Sequence, residues 1–398
     1  MHVDINSCFA TIEQQANPLL RNKPVAVAAY DSPGGCILAA SVEAKQLGIK
    51  TGMRVKDGKA LYPKLFVLPP DANKYRYVHI QLRGLLSDYT DKLYPKSIDE
   101  FVLHLEGYPI LREKSTFDLG LEIKQRIKEE IGDWMRVSIG LGPSRFIAKT
   151  AAGVKKPDGL IEINDQNYVS IYENMELTDL YGIAKHNERR LNNVGIFSVL
   201  DFYYAPLWKL KAAFKSVNAY YWFLRLRGWE IDEQEFSRRT FGNSYALPKP
   251  FEKVEELSPI LSKLVNKMAF RLRKAGYKAR GVHLSVSYRD WSSWHHGHAQ
   301  KRWLFDTRDF YAEAYRLLKL SPRKPVRILA VSCFDLTDET QYQTEIFEDV
   351  TKKKLLTQAL DNVNDRWGDF VITPANMLTA KEKYVHDRIA FGGVKELG

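Results

Sequence analysis

At 398 residues the chain exceeds one typical domain and suits two to four. Its 59 lysines and arginines outnumber 48 aspartates and glutamates, giving a formal charge of +11 and an isoelectric point near 9.2, which favours a polyanionic partner without naming it. An apolar share of 45% with 12% aromatics excludes a disordered or collagen-like chain. Cys8, Cys36 and Cys333 are too few and too scattered for a disulfide framework or a zinc site, no run is apolar enough for a membrane span, and Asp4 interrupts any signal-peptide reading. A globular, cytoplasmic protein is expected.

Met1 to Asp4 reads as a short strand that stops at a carboxylate, and Asn6 to Gln15 as a helix. Pro24 to Ala29 is a short apolar strand, residues 31–35 supply turn chemistry, and Cys36 to Ala40 is a second strand. Val78, Leu82, Leu85, Tyr89 and Leu93 recur at helical intervals, predicting an amphipathic helix from Asn73 to Leu93. Phe101, Leu103 and Leu105 alternate with Val102, His104 and Glu106, and Val137, Ile139 and Leu141 with Arg136, Ser138 and Gly140, which are strand patterns, and Ser115-x-x-Asp118 between them resembles a capping box opening a helix. The order β, α, β is that of an α/β sandwich. Tyr168 to Glu235 reads as short helices. From Tyr245 to Phe334 the pattern is βαββαβ, with a long helix over Val254 to Ala275 and a second near Tyr311 to Leu318. Residues 237–345 hold 20 lysines or arginines against 11 acids, so +9 of the charge sits there and the polyanion-binding surface is expected there. Residues 346–398 contain one helix, Lys353 to Trp367, and an extended tail.

Three constellations carry chemistry. Asp4 at a strand end and the pair Asp99-Glu100 could hold two hard divalent cations, as phosphoryl or nucleotidyl transfer requires; solvated strand-end acids would read the same way. Lys45 and Lys156 could bring ammonium groups to a triphosphate, although a solvated lysine is the default for each. The Gly182-Ile-Ala184 segment before Lys185 has the form of a helix-hairpin-helix that offers backbone N–H groups to a DNA phosphate, or of an ordinary helical turn. Trp294-His-His-Gly-His298 reads as a hairpin tip, with no metal chemistry assigned.

Taken together, residues 2–10, Lys23-Pro-Val25, Glu43-Ala-Lys-Gln-Leu-Gly48, Ser97-Ile-Asp-Glu100, Ser138 to Lys149 with its Gly-Leu-Gly-Pro-Ser-Arg-Phe core, and Lys156-Pro-Asp-Gly159 resemble the Y-family translesion DNA polymerases, in order and interval, over roughly the first 345 residues. The resemblance implies an α/β multidomain right hand. A ferredoxin-like palm would span residues 1–10 and 73–163, small fingers 11–72, a helix-hairpin-helix thumb 164–236, a βαββαβ little finger 237–345, and a C-terminal extension 346–398. Asp4, Asp99 and Glu100 would be the catalytic carboxylates, binding two Mg²⁺ together with the carbonyl of Ile5. Cys8, Phe9, Lys45 and Lys156 would meet the nucleotide, with Phe9 as the steric gate against a 2′-hydroxyl, and Gly182, Ala184 and Lys185 would meet DNA.

The chain departs from the family's pattern at Val42, where a tyrosine often contacts phosphates, at Ala184, where the thumb hairpin has a third glycine, and in having only three residues before Asp4, which shortens the first strand. Asp4-x-Asn6 and Glu-Ala-Lys45 resemble the UmuC type, whereas Lys-Lys-Pro-Asp-Gly159 and Ser138 to Pro143 resemble the DinB type. The expected activity is DNA-templated addition of deoxynucleoside triphosphates to a primer, by a monomer without membrane attachment. Clamp binding is an expectation of the family alone, since no convincing clamp peptide stands in the tail. Two rivals are a catalytically inactive family-like scaffold on damaged DNA and another palm enzyme such as a nucleotide cyclase. The intact carboxylate set argues against the first, and the basic domain and thumb hairpin against the second.

Overall fold

A computed structural model describes residues 1–233, 238–338, 350–368 and 370–378, which fall into two compact units that part near residue 235. In the first, the strands in chain order are β1 (His2–Ile5), β2 (Val25–Ala28), β3 (Ile37–Ala40), β4 (Phe66–Leu68), β5 (Leu93–Pro95), β6 (Glu100–Leu103), β7 (Val137–Leu141) and β8 (Leu160–Glu162). They form a five-stranded sheet in the order β5-β6-β1-β7-β8 and a small sheet in the order β3-β2-β4. In β1 the alternation sends Val3 and Ile5 into the core and leaves His2 and Asp4 on the other face. The helices Ala72–Ser87 and Thr116–Arg126 cover the core side with Val78, Leu82, Leu85, Leu119 and Ile123.

The Ala72–Ser87 helix starts where Asp71 accepts hydrogen bonds from the N–H groups of Asn73 and Lys74. It stops six residues earlier than the periodicity predicts. Thr90 instead donates to the His104 carbonyl and accepts from the Lys92 N–H, which delivers Leu93 into β5 opposite Leu103. Leu93 continued the apolar spacing because both a helix face and a strand face point at the same core. The first helix is likewise shorter, Cys8–Ala16, because Ser7 adopts a left-handed backbone that breaks the chain away from β1. Ser115 caps the next helix as its motif predicts, accepting from the Asp118 N–H.

Residues 168–225 form short helices around a separate apolar cluster that includes Tyr172, Leu191, Phe202 and Trp222. The second unit contains β9 (Thr240–Phe251), β10 (Tyr277–Tyr288), β11 (Ser293–Leu304) and β12 (Val326–Asp338) in one antiparallel sheet ordered β11-β10-β12-β9. Helices Val254–Lys274 and Thr307–Leu320 pack on the face that carries Val282, Leu284 and Val286, while His283, Ser285 and Ser287 alternate on the opposite face. β9 runs well beyond the predicted Tyr245 to Leu247. Its Pro248 and Pro250 are tolerated because β9 is an edge strand. The Trp294–His298 segment is corrected as well: it lies within β11, paired with β10 from Val286 to Val282, and the hairpin tip is formed by Arg289 to Ser292. The helix Val350–Trp367 is tied to this unit by Arg273 with Asp361 at 2.6 Å and Lys353 with Asp309 at 2.6 Å.

One close approach positions the site described next. A Cβ on Gly140 of β7 would lie 1.9 Å from the Ala148 carbonyl oxygen and 2.3 Å from the Ala152 nitrogen, so only glycine lets the Arg145–Val154 helix lie against β7. Gly140→Ala should therefore lower the unfolding free energy by about 1–3 kcal/mol in urea titrations. Gly153→Ala, where a Cβ meets nothing within 4 Å, should be neutral or stabilising by up to about 1 kcal/mol.

Candidate active site

The antiparallel register of β1 and β6 sets Asp4 directly opposite Glu100. Asp99 precedes β6, and its carbonyl accepts from the Ile5 N–H at 2.9 Å, which pins the ends of the two strands together. Its carboxylate accepts from Ser97 Oγ at 2.5 Å. Two cations offset this negative charge. Lys149 Nζ, from the helix that Gly140 admits, reaches both Glu100 oxygens at 2.9 and 2.7 Å, and Lys156 Nζ lies 2.9 Å from Asp4 Oδ1. Even so, burial pushes Asp4 up to about 6, with Lys156 opposing and Glu100 and Asp99 adding to the rise. Burial raises Asp99 too, against the hydrogen bond from Ser97.

Lys156 is held by a polar anchor. Asn6 is buried, donates to Ser138 Oγ at 3.0 Å and accepts from the Asp158 N–H at 2.7 Å, and Ser138 Oγ also accepts from the Gly159 N–H at 3.3 Å. Gly159 is obligatory in that loop, since a Cβ there would sit 2.0 Å from the Lys155 carbonyl oxygen. The loop brings Lys156 beside Lys45, whose ammonium is pushed below the ordinary lysine range by burial and then by Lys156. Asn6, Ser7, Val42, Lys45, Gln46, Lys156 and Pro157 line one hollow of about 350 Å³. It is open, doubly cationic and next to Asp4, which suits a polyphosphate.

Cys8 and Phe9 lie in the first turn of the Cys8–Ala16 helix with their side chains buried, Phe9 fully so and stacked on Tyr75 at 4.3 Å. Burial raises the Cys8 thiol well above its ordinary range. Gly182, at φ 93°, lines a second cavity of about 460 Å³ together with Lys149, Glu100, His2, Arg145 and Tyr181. Ala184 and Lys185 lie outside it, at the exposed start of the Lys185–Asn192 helix, where Lys185 pairs with Glu188 at 3.1 Å. Ala184 has an extended backbone, φ −108°, so alanine in place of glycine costs nothing there.

The structure adds three residues to those picked from the sequence. Lys149 and Asn6 stood inside quoted motifs, yet neither carried a signal of its own, because a lysine mid-helix and an asparagine after a strand are common. His2 was legible only as one face of β1. It is buried and, by burial first and Lys149 second, its imidazole falls to about 3, so it is neutral. Carboxylates on adjacent strand ends, partly desolvated and balanced only by lysine side chains, fit divalent cations with oxygen ligands. No helix among the described residues is long and apolar enough to cross a membrane.

Comparisons with known proteins bear on this geometry. Residues 3–153 match the impB/mucB/samB family and residues 238–346 match the C-terminal domain of the same family. The chain is 32% identical to a DNA polymerase IV of Moorella thermoacetica over 94% of its own length and 95% of that protein. It is 30% identical to a DNA polymerase IV of Pelotomaculum thermopropionicum over 94% of each. A solved chimeric Y-family DNA polymerase shares its fold with a TM-score of 0.74 at 24% identity, over 85% of this chain and 98% of that one.

The raised Asp4 pKa has a stability consequence. In chelator the folded state holds the Asp4 proton more tightly than the unfolded chain, so ionisation weakens the fold: the penalty is absent below about pH 3.8, grows toward pH 6 and is complete above it. Asp4→Asn should therefore be more stable than the parent protein at pH 7.5, by on the order of 1–3 kcal/mol, with the gap closing toward pH 4. Denaturant melts across that range would show a constant gap if Asp4 did not carry the charge strain.

Proposed function

The chain belongs to the impB/mucB/samB family, the Y-family translesion DNA polymerases, and from that membership we propose how its residues divide the work of primer extension. It is a DNA-directed DNA polymerase of the lesion-bypass class and a metal-dependent nucleotidyltransferase. The proposed ligands are Asp4, Asp99 and Glu100 with the Ile5 carbonyl, for two Mg²⁺. Bound there, such cations would supply Lewis-acid chemistry, lowering the pKa of the primer 3′-hydroxyl and neutralising charge on the triphosphate and its leaving group. The observation that carries this reading is the pairing of Asp4 with Glu100 across β1 and β6, held in charge balance by Lys149 and Lys156.

Lys45 and Lys156 then grip the triphosphate in the hollow beside Asp4, Lys156 exchanging its carboxylate partner for phosphate oxygens. Cys8 and Phe9, in the first turn of the adjoining helix, complete the proposed nucleotide-contacting set. In this reading residues 1–10 and 73–163 are the palm, 11–72 the fingers, 164–236 the thumb and 237–345 the little finger. Gly182 and its neighbours track the primer strand through backbone contacts. The basic second unit grips template and primer phosphates without reading bases. Incoming deoxynucleoside triphosphates and primed DNA are the substrates.

Asp99→Ala and Glu100→Ala are each expected to abolish extension of a primed template, by at least about a thousandfold, with DNA affinity nearly unchanged, because the carboxylates hold cations rather than DNA. Loss of only a fewfold in single-turnover rate would overturn the assignment.

Phe9 carries the proposal for sugar selection. A ring already seated by stacking on Tyr75 cannot retreat from a 2′-hydroxyl, so the same burial that makes Phe9 part of the core makes it a stiff gate. Phe9→Ala should keep deoxynucleotide incorporation and raise ribonucleotide use, since a clash is removed. Losing this buried ring costs about 3–5 kcal/mol of stability in either role, and if Phe9 only anchored the helix both activities would fall together. The ratio of ribo- to deoxynucleotide incorporation efficiency separates the two roles.

A further inference from the structure

His2 stands two residues before Asp4 on β1, so strand alternation puts both side chains on one face, and Asp4 faces Glu100 across the ladder. The His2 side chain is only 1% exposed, and neither Nδ1 nor Nε2 has a hydrogen-bond partner. A buried imidazole left without a partner on either nitrogen is costly unless something else is meant to meet it. Lys149, the nearby donor, spends its ammonium on both Glu100 oxygens. Among the described residues His2, Asp4 and Glu100 form a group in which one ligand atom from each lies within 4.8 Å of the others. His2 and Glu100 line the 460 Å³ cavity, so an ion could approach the group from that side without unfolding the sheet.

We propose that His2 supplies a nitrogen ligand to a divalent transition-metal cation held with Asp4 and Glu100. The proposal rests on the reading of these carboxylates as cation ligands and adds to it a donor of different chemistry. Mg²⁺ takes oxygen ligands and keeps its waters, so a lone imidazole contributes little to it. Borderline cations accept imidazole nitrogen and carboxylate oxygen together, and a His-plus-two-carboxylate set leaves positions open for substrate oxygens. With bonds of about 2.1 Å, donors that lie within 4.8 Å of one another need to close by up to about 1.5 Å, a movement side-chain rotation would have to supply as Lys149 and Lys156 are displaced. Asp99 stays outside the set, free for a second ion. The site would thus discriminate between cations through one residue, favouring manganese-like ions over magnesium beyond what three carboxylates would give.

The test uses the full chain without DNA, with Mn²⁺ as the probe and Mg²⁺ as the comparator. Pulsed electron paramagnetic resonance of the protein with one equivalent of Mn²⁺ should show ¹⁴N modulation, which changes to the ¹⁵N pattern when histidine is ¹⁵N-labelled and disappears in His2→Gln. Calorimetric Mn²⁺ affinity should fall about tenfold or more in His2→Gln and in His2→Asn, with Mg²⁺ affinity changing less than about twofold. Absence of histidine-nitrogen modulation in the labelled parent protein would overturn the proposal even if neither variant folded. Modulation that survives His2→Gln, or equal loss of both affinities, would overturn it as well. Failure of the underlying carboxylate reading looks different: Mg²⁺ affinity would then be unmoved by Glu100→Ala, whatever happens at His2.

Discussion

The first unit is organised around a repulsion. Asp4 and Glu100 face each other across the β1–β6 ladder with Asp99 beside them; burial first, and then like charges this close, raise the pKa of Asp4 and Asp99 and weaken the sheet that carries them. Two lysines relieve the strain, and each arrives by its own structural device. Lys149 is delivered by a helix that can lie against β7 only because Gly140 lacks a Cβ. Lys156 is delivered by a loop fastened to the sheet through Asn6, Ser138 and Gly159. Ammonium groups on flexible stems are replaceable counter-ions, unlike a fixed guanidinium fork, so the arrangement holds the carboxylates together while leaving them free to exchange partners.

The wall behind this site is rigid where the site itself is strained. Phe9 stacks on Tyr75, Tyr75 Oη donates to Glu13 at 2.9 Å, and Lys74 Nζ meets the other Glu13 oxygen at 2.6 Å. The pair of adjacent residues, Lys74 and Tyr75, thus locks the first helix to the Ala72–Ser87 helix through one acid that is itself buried. A buried acid satisfied by two donors is stable, whereas Asp4 with one lysine and two like-charged neighbours is not. Stability lost at the carboxylate face is recovered a turn or two away, which is where the gate role proposed for Phe9 needs stiffness.

Much of this was legible in the sequence, and what was not has physical causes. Strand-end acids alone would equally read as solvated caps; it is the ordered set of motifs around them that singles out Asp4, Asp99 and Glu100, and the strand register sets Asp4 opposite Glu100. The Ser115 cap and the alternation of Val282, Leu284 and Val286 read correctly because local sequence decides them. The end of the Ala72–Ser87 helix did not, since Thr90 redirects the chain through a hydrogen bond to His104, fourteen positions on. The Trp294–His298 segment read as a turn because polar and glycine residues mimic one, whereas cross-strand pairing with β10 makes it a strand. Lys149, Asn6 and His2 matter through partners 49, 132 or 98 positions away, and no local pattern announces a long-range partner.

The distribution of charge follows from the same repulsion. Of a net +11, residues 237–345 hold +9, so the strand-borne acids of the first unit face a nearly balanced background. Surface lysines spread around Asp4 would lower its pKa without supplying coordination, and would compete with cations for the same oxygens. Two lysines placed at 2.7 and 2.9 Å do the balancing with less positive charge than a diffuse patch would need. Long-range attraction for phosphates can then reside in the second unit, where the sheet face opposite its helices carries small and polar side chains such as Ser285 and Ser287. Short side chains on a flat sheet can touch a phosphodiester backbone but cannot reach deep into a groove, so attraction there is strong in charge and poor in sequence information. Placing most of the positive charge apart from the clustered carboxylates keeps it from titrating them, and a polymerase that must accept damaged templates is served by charge that does not depend on the bases.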